Sequence, residues 1–343
     1  MVRLRPECVN SLKSRLILNS VSGSDAGAAQ PPALNEQLRE RIGAMDIVMT
    51  VAPGDAREAA ADAARAGYDT IFIGGGDGTL NQVLNGVASV QDAFSRVTFG
   101  VIPLGTGNDF AATLGLPENV DEAIGLLLKG RSIDVDLGTL NGRNFVNVSA
   151  GGFIAEVSDA VSPVLKSIAG KLAYLIGGTQ VLLDYEPVKA DLRAIVEGEL
   201  IEREFNLQMF AVCNARLIGG GRIIAPHAVI DDGWLDICLV EAMPTLEFVG
   251  LLNRVSTGDH LEDERVTYFR ARELDLRFDH AIKVNTDGEV LAMDRCDYGV
   301  WPRTARFLIG DDLGARQKAE RVQDSTVSGQ LGTLTGLALD NAV

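Results

Sequence analysis

Asp77 stands inside I-F-I-G-G-G-D-G-T-L-N, residues 71–81, where a carboxylate makes chemical sense only with a cation to hold or a proton to accept. Three apolar residues run into Gly74-Gly75-Gly76 and an amphipathic segment begins at Thr79, the pattern of a buried parallel strand handing over to a helix. Glycine lets backbone approach a ligand closely, and the N–H groups that open a helix favour an anion, so Gly75, Gly76, Gly78 and Thr79 read as a phosphate-binding turn. Asp77 would repel those phosphates unless Mg²⁺ lay between them, which argues against a plain dinucleotide fingerprint, as does Thr79 in place of its third glycine. No G-K-[ST] follows, which removes the P-loop. A second turn of this kind lies at residues 100–110, G-V-I-P-L-G-T-G-N-D-F, where a short apolar strand meets Gly105, Thr106 and Gly107. Asn108 and Asp109 stand where a helix would begin and are of the types that cap one. Either turn alone reads equally well as an ordinary glycine-rich loop; as a pair they can face one ligand.

The elements that must position these turns alternate between strand and helix. Residues 15–19 and 46–51 read as short strands, 34–42 and 55–66 as helices. That alternation predicts an open, mostly parallel α/β sheet covered on both faces, with ligands beyond the carboxyl ends of its strands, where all the glycine turns fall. Helical spacing over 120–128 closes this half. From Ser132 onward period 2 dominates: Leu192, Ala194 and Val196 oppose Asp191, Arg193 and Glu197, and Leu274, Leu276 and Phe278 oppose Asp275 and Arg277. These are half-buried antiparallel strands and predict a β-sandwich. The chain therefore divides into a nucleotide-binding α/β domain over 14–131 and a substrate domain over 132–310. Its final strand, from about Trp301, is free to return to the first domain. One long helical stretch, 163–183, interrupts the second domain, and 311–343, rich in Gly, Thr, Ser and charge, is expected to be a mobile tail.

A chain of 343 residues buries a sizeable core, and its net charge of −16 excludes a nucleic-acid partner, which would need clustered Lys and Arg. The opening residues have no signal-peptide core and no run of about 18 apolar residues occurs, so the expectation is a cytoplasmic protein. Cys8, Cys213, Cys238 and Cys296 lack metal-site spacing, and His227, His260 and His280 stand alone.

The pair G-G-D-G-T-L-N, Gly75 to Asn81, and P-L-G-T-G-N-D-F-A, Pro103 to Ala111, resembles the diacylglycerol kinase catalytic domain family, which includes bacterial lipid kinases and the sphingosine and ceramide kinases. The resemblance runs from about Arg15 to Leu308. G-G-D-G-T also occurs in NAD kinases and phosphofructokinases, whose nucleotide domain the first half is expected to share; the second block separates this family from them. The resemblance implies ATP as phosphoryl donor, Mg²⁺, a lipid hydroxyl as acceptor, and brief peripheral contact with the inner face of the membrane. N-S-V-S-G, Asn19 to Gly23, is similar to the family's N-P-x-S-G, with Ser20 in place of proline, and Thr50 matches a threonine near the nucleotide. Asn19, Thr50, Gly75, Gly76, Gly78, Thr79, Gly105, Thr106, Gly107 and Asn108 would thus hold the nucleotide. Asp232, in P-H-A-V-I-D-D-G-W-L-D, matches a segment that holds a structural Mg²⁺ in bacterial members, although D-D-G is also a plain turn. Glu289, in N-T-D-G-E, matches the glutamate proposed as general base across the cleft from G-G-D-G, although D-G alone is a hairpin signal. Either Asp77 or Glu289 would take the proton.

Two other readings use the same residues. A kinase of the NAD kinase type would act on a soluble acceptor, and a protein that has lost catalysis would sense ATP or a lipid. A membrane-active enzyme at −16 needs a local basic patch, for which Lys166, Lys171, Lys189 and Arg193 near the 163–183 stretch are the candidates.

Overall fold

The structure, a computed structural model, describes residues 13–20, 45–160, 185–196, 198–311 and 313, with the two-residue strand Val2–Arg3. The expected helices at 34–42 and 163–183, Ser22 and Gly23, Lys166 and Lys171, and the tail from 314 lie outside these residues.

The first half is built on strands whose residues are apolar on both faces. Strand β1 (Ser14–Asn19) pairs in parallel with β2 (Asp46–Thr50) on one side and with β3 (Thr70–Gly75) on the other, and β3 pairs in parallel with β4 (Thr98–Pro103). Every residue of β3 and β4 is buried, as a parallel sheet covered on both faces requires. Helix α1 (Asp55–Arg65) buries an alanine face, which brings its backbone close to α2 (Asp77–Ala88). Helix α3 (Asp109–Thr113) follows β4, and α4 (Val120–Leu127) starts at Asn119, whose side chain accepts a hydrogen bond from the Glu122 N–H at 3.1 Å.

The second half is antiparallel. It contains β5 (Arg131–Leu140), β6 (Arg143–Phe145), β7 (Val148–Gly152), helix α5 (Phe153–Ala160), β8 (Val188–Val196) and β9 (Glu199–Cys213). The short hairpin β10 (Leu217–Ile218) and β11 (Arg222–Ile223) comes next, then β12 (Leu235–Glu241), α6 (Thr245–Arg254), β13 (Val266–Ala271), β14 (Glu273–Thr286) and β15 (Glu289–Leu308). Burial along β8 alternates at every residue, and the buried set, Val188, Ala190, Leu192, Ala194 and Val196, enters a core shared with Phe205, Phe210, Phe278 and Tyr298. Strand β8 pairs with both β9 and β14, and β7 pairs with both of those as well, so these four strands close on themselves.

One strand joins the halves. The end of β15 pairs in parallel with β4 at Arg306 and Phe307, while its length pairs antiparallel with β14 and β5. The turn before β15, at the opposite end of that strand from this pairing, lies against the glycine turn that follows β3, with Gly288 facing the Gly78 backbone. Two domains therefore meet at one place: an α/β domain with a mostly parallel sheet and a β-sandwich-like domain.

Candidate active site

The two glycine turns touch, backbone against backbone. A methyl group on Gly105 would sit 2.4 Å from the Gly76 Cα, so no side chain larger than hydrogen fits there without separating the turns. Asp77 ties them together: its Oδ2 accepts from the Asp109 N–H at 3.2 Å and its Oδ1 from the Phe110 N–H at 3.1 Å. This corrects the expectation that Asn108 and Asp109 cap α3. Asn108 has left-handed backbone, φ 52°, and its amide folds back onto Gly105, with Oδ1 accepting from the Gly105 N–H and Nδ2 donating to the Gly105 carbonyl, both at 2.8 Å. The cap comes from a residue thirty-two positions away, which no local pattern reveals.

Thr79 is buried, and its hydroxyl accepts from Asn19 Nδ2 at 3.1 Å, which places Asn19 beside the first turn. Gly75 packs directly under Thr79. Gly76 and Gly78 are half-buried, whereas Thr106 and Gly107 are exposed, so the second turn offers its backbone to solvent. Thr50 is buried and its hydroxyl donates to the Leu18 carbonyl at 3.4 Å, a strand-end contact within the sheet.

The D-G-E turn lies on the first glycine turn, with its Gly288 stacked so that a methyl there would sit 3.5 Å from the Gly78 backbone. Asp287 takes left-handed backbone, φ 47°, and Gly288 follows at 93°, the primed hairpin turn that D-G predicts. The residue that fastens this turn is Asp287, which pattern reading passed over as part of a hairpin signal. Its buried carboxylate accepts from the N–H groups of Val146, Asn147 and Val148 at 2.8, 3.1 and 3.0 Å, and from Asn81 Nδ2 of α2 at 3.2 Å. Asn81 and Asn85, one helical turn apart, also grip the Asn144 carbonyl, and Asn85 Oδ1 accepts from the Asn144 N–H. Helix α2, which opens with Asp77, is in this way bolted to the second domain. Glu289, two residues after Asp287, instead pairs with Arg143, Oε2 to Nη2 at 2.5 Å, and is partly exposed.

The electrostatics single out Asp77. Burial first, and then the charges of Asp109 and Asp287 nearby, raise its carboxyl to about 7 against the two N–H bonds that lower it. Asp287 rises to about 6 through burial. Neither these two nor Asp109 belongs to any ion pair among the described residues, and a divalent cation would relieve the repulsion. The Asp109 carboxylate already makes three hydrogen-bonding contacts and that of Asp287 four, whereas Asp77 makes two and is only half-buried, so of the three it has the most capacity left for a cation such as Mg²⁺. Because its folded-state value lies above the ordinary 3.8, the stability this group supplies is full below about pH 4 and is lost as pH rises towards 7. In chelator, Asp77→Asn should therefore gain stability relative to wild type between pH 4 and 7, read as the difference in Tm; a constant difference would refute the shifted titration.

Asp232 lies apart from this site. Its Oδ1 accepts from the Trp234 N–H at 3.0 Å and its Oδ2 lies 3.5 Å from Arg270 Nη1. Burial raises its carboxyl to about 6. Among the described residues no three His, Cys, Asp or Glu side chains converge on a metal position, and a cation on Asp232 would have to displace Arg270. Of the basic patch, Lys189 and Arg193 are exposed on β8, and Arg193 is paired with Glu202 at 3.2 Å.

Fold and site together define a two-domain protein in which paired glycine turns, a carboxylate between them and a D-G-E turn from the second domain meet. Residues 13–140 match the diacylglycerol kinase catalytic domain, and residues 147–309 match the YegS C-terminal NAD kinase beta sandwich-like domain. The diacylglycerol kinase of Bacillus subtilis (strain 168) is 31% identical over 278 residues, 81% of this chain and 89% of that protein. That of Staphylococcus aureus (strain Newman) is 32% identical over 277 residues, 81% and 86%. A solved diacylglycerol kinase structure from Bacillus anthracis str. Sterne shares the fold, with a TM-score of 0.65 at 23% identity over 88% of this chain and 98% of that one. The chain belongs to the diacylglycerol kinase family.

Proposed function

We propose that this protein transfers the γ-phosphoryl group of ATP to the hydroxyl of a membrane lipid of the diacylglycerol class, with Mg²⁺. The observation that supports this most is the contact of the two glycine turns across Gly76 and Gly105, with Asp77 between them and the D-G-E turn laid on top. Phosphoryl transfer asks mainly for positioning and charge neutralisation, which backbone N–H groups and a cation supply. In this reading residues 14–131 bind the nucleotide and 132–310 the lipid. Gly75, Gly76, Gly78, Gly105, Thr106 and Gly107 face the phosphates, Thr79 and Asn108 shape the turns, and Asn19 and Thr50 border the nucleotide. Asp77 would hold Mg²⁺, which would neutralise charge on the phosphates, and Glu289 would accept the hydroxyl proton once released from Arg143. Asp232 is the candidate for a second, structural Mg²⁺, taken in exchange for Arg270. No described helix is long and apolar enough to cross a membrane, and the lipid would be reached by peripheral contact from the cytoplasmic side.

The test is turnover of labelled ATP with Mg²⁺ on diacylglycerol in mixed micelles, with NAD and no lipid as the parallel arm. Diacylglycerol should be phosphorylated at least a hundredfold faster than NAD. Turnover on NAD with none on lipid would replace the reading with that of a soluble-acceptor kinase.

A further inference from the structure

The hairpin of β10 and β11 belongs to the second domain, yet its tip lies on the second glycine turn of the first. Its base is anchored at home: Asn147 Nδ2 donates to the Leu217 carbonyl at 3.1 Å, and the Ile223 N–H donates to the Val255 carbonyl at 2.9 Å. The tip, Gly219-Gly220-Gly221, has φ values of 63°, 87° and 96°, a run of left-handed backbone that only glycine adopts without strain. That conformation turns successive N–H groups to one side, and they meet the carboxylate of Asp109. Gly220 N–H lies 3.0 Å from both Asp109 oxygens and Gly221 N–H lies 2.7 Å from Oδ1. Charge-assisted bonds of this length are about twice as strong as neutral ones. A methyl group on Gly107 would be 3.3 Å from Asp77 Oδ2 and 3.9 Å from the Gly220 nitrogen, so the hairpin tip, the exposed turn and Asp77 share one small region.

Asp109 thus faces two ways. Its backbone N–H holds Asp77, and its side chain holds the second domain. We propose that Asp109 is a positioning residue, a latch that holds the Gly219–Gly221 hairpin beside the Gly105–Asn108 turn and so fixes the acceptor domain against the donor turn. The inference rests on the phosphoryl-transfer reading for its consequence in turnover, and on geometry alone for the latch itself. Asn81, Asn85 and Asp287 bolt the domains on the α2 side of Asp77; Asp109 does so on the α3 side. With both in place Asp77 is held between two interdomain contacts. With Asp109 released, the hairpin tip loses its partner beside the second turn, while the glycine backbone that meets ATP stays as it is.

Asp109→Asn keeps one acceptor oxygen but turns an NH₂ group towards the remaining N–H, so the latch should open without a change of volume. Hydrogen–deuterium exchange across residues 217–223 should then speed up at least tenfold. kcat on diacylglycerol should fall at least tenfold, and ATP affinity should change by less than about threefold. Gly221→Ala tests the same latch from the other side: nothing lies within 4 Å of the added methyl, so its effect comes from the left-handed φ of 96° alone. It should reproduce the exchange and kcat losses even if Asp109→Asn folds poorly. Unchanged exchange at 217–223 in both variants, or a loss confined to ATP affinity, would overturn the latch. Wild-type protein that exchanges slowly there but phosphorylates no lipid would leave the latch standing and refute the lipid-kinase reading instead.

Discussion

Asp77→Asn should leave the protein folded and reduce phosphoryl transfer by at least a thousandfold. The substitution keeps the shape of the side chain, and its carbonyl oxygen can still accept one of the two N–H bonds from Asp109 and Phe110. It removes the charge, which is the property that the surroundings single out. Burial and the neighbouring Asp109 and Asp287 make an ionised Asp77 costly in the absence of a cation, so the site is poised to gain from one. Removing a group that stabilises charge at a transferring phosphoryl typically costs about 10²- to 10⁵-fold in rate, and a carboxylate that holds the cation belongs near the upper part of that range. The check is kcat on diacylglycerol beside Tm and Mg²⁺ affinity. Near wild-type turnover in a folded Asp77→Asn protein would remove Asp77 from the chemistry and leave it only the task of tying the two turns together.

Glu289→Gln should lower kcat by about 10²-fold or more with ATP affinity nearly unchanged, as removal of a general base does. Its pairing with Arg143 makes a second outcome informative. If Glu289 serves only to hold Arg143 at the mouth of the site, the neutral glutamine would free that guanidinium, and the loss would fall on KM for one substrate with kcat preserved. That split decides between base and tether. Arg143 sits one residue before Asn144, which Asn85 grips from α2, so the pair stands on a well-fixed strand and the variant should not disturb the fold.

Much of the site was legible in the chain because the signals were local. The Ile71 to Asn81 and Pro103 to Ala111 blocks combine a buried apolar strand, glycines and a helix start within about a dozen residues, and the structure places both turns at the carboxyl ends of β3 and β4. Period-2 alternation read over 191–197 likewise falls in β8, which begins earlier, at Val188, and has every second residue buried, since a strand with one face on a core repeats every two residues. D-G before Glu289 correctly announced a primed turn.

What stayed hidden depends on contacts distant in sequence. Asp287 looked like half of a turn signal, and its carboxylate is the fastening of the D-G-E block because residues 146–148 arrive beside it. Asn108 looked like a helix cap, and the cap is Asp77. Gly219-Gly220-Gly221 was a run of glycines with no assigned use until the fold brought it to Asp109. By itself the sequence determined the local conformations: two strand–glycine–helix turns, a hairpin at D-G, and a change from helical to strand periodicity near residue 130. Only the tertiary structure decided which backbone N–H groups each buried carboxylate meets. That follows from β15, whose pairing with β4 brings two halves of the chain together, and a buried carboxylate is stabilised by whatever donors the fold delivers to it.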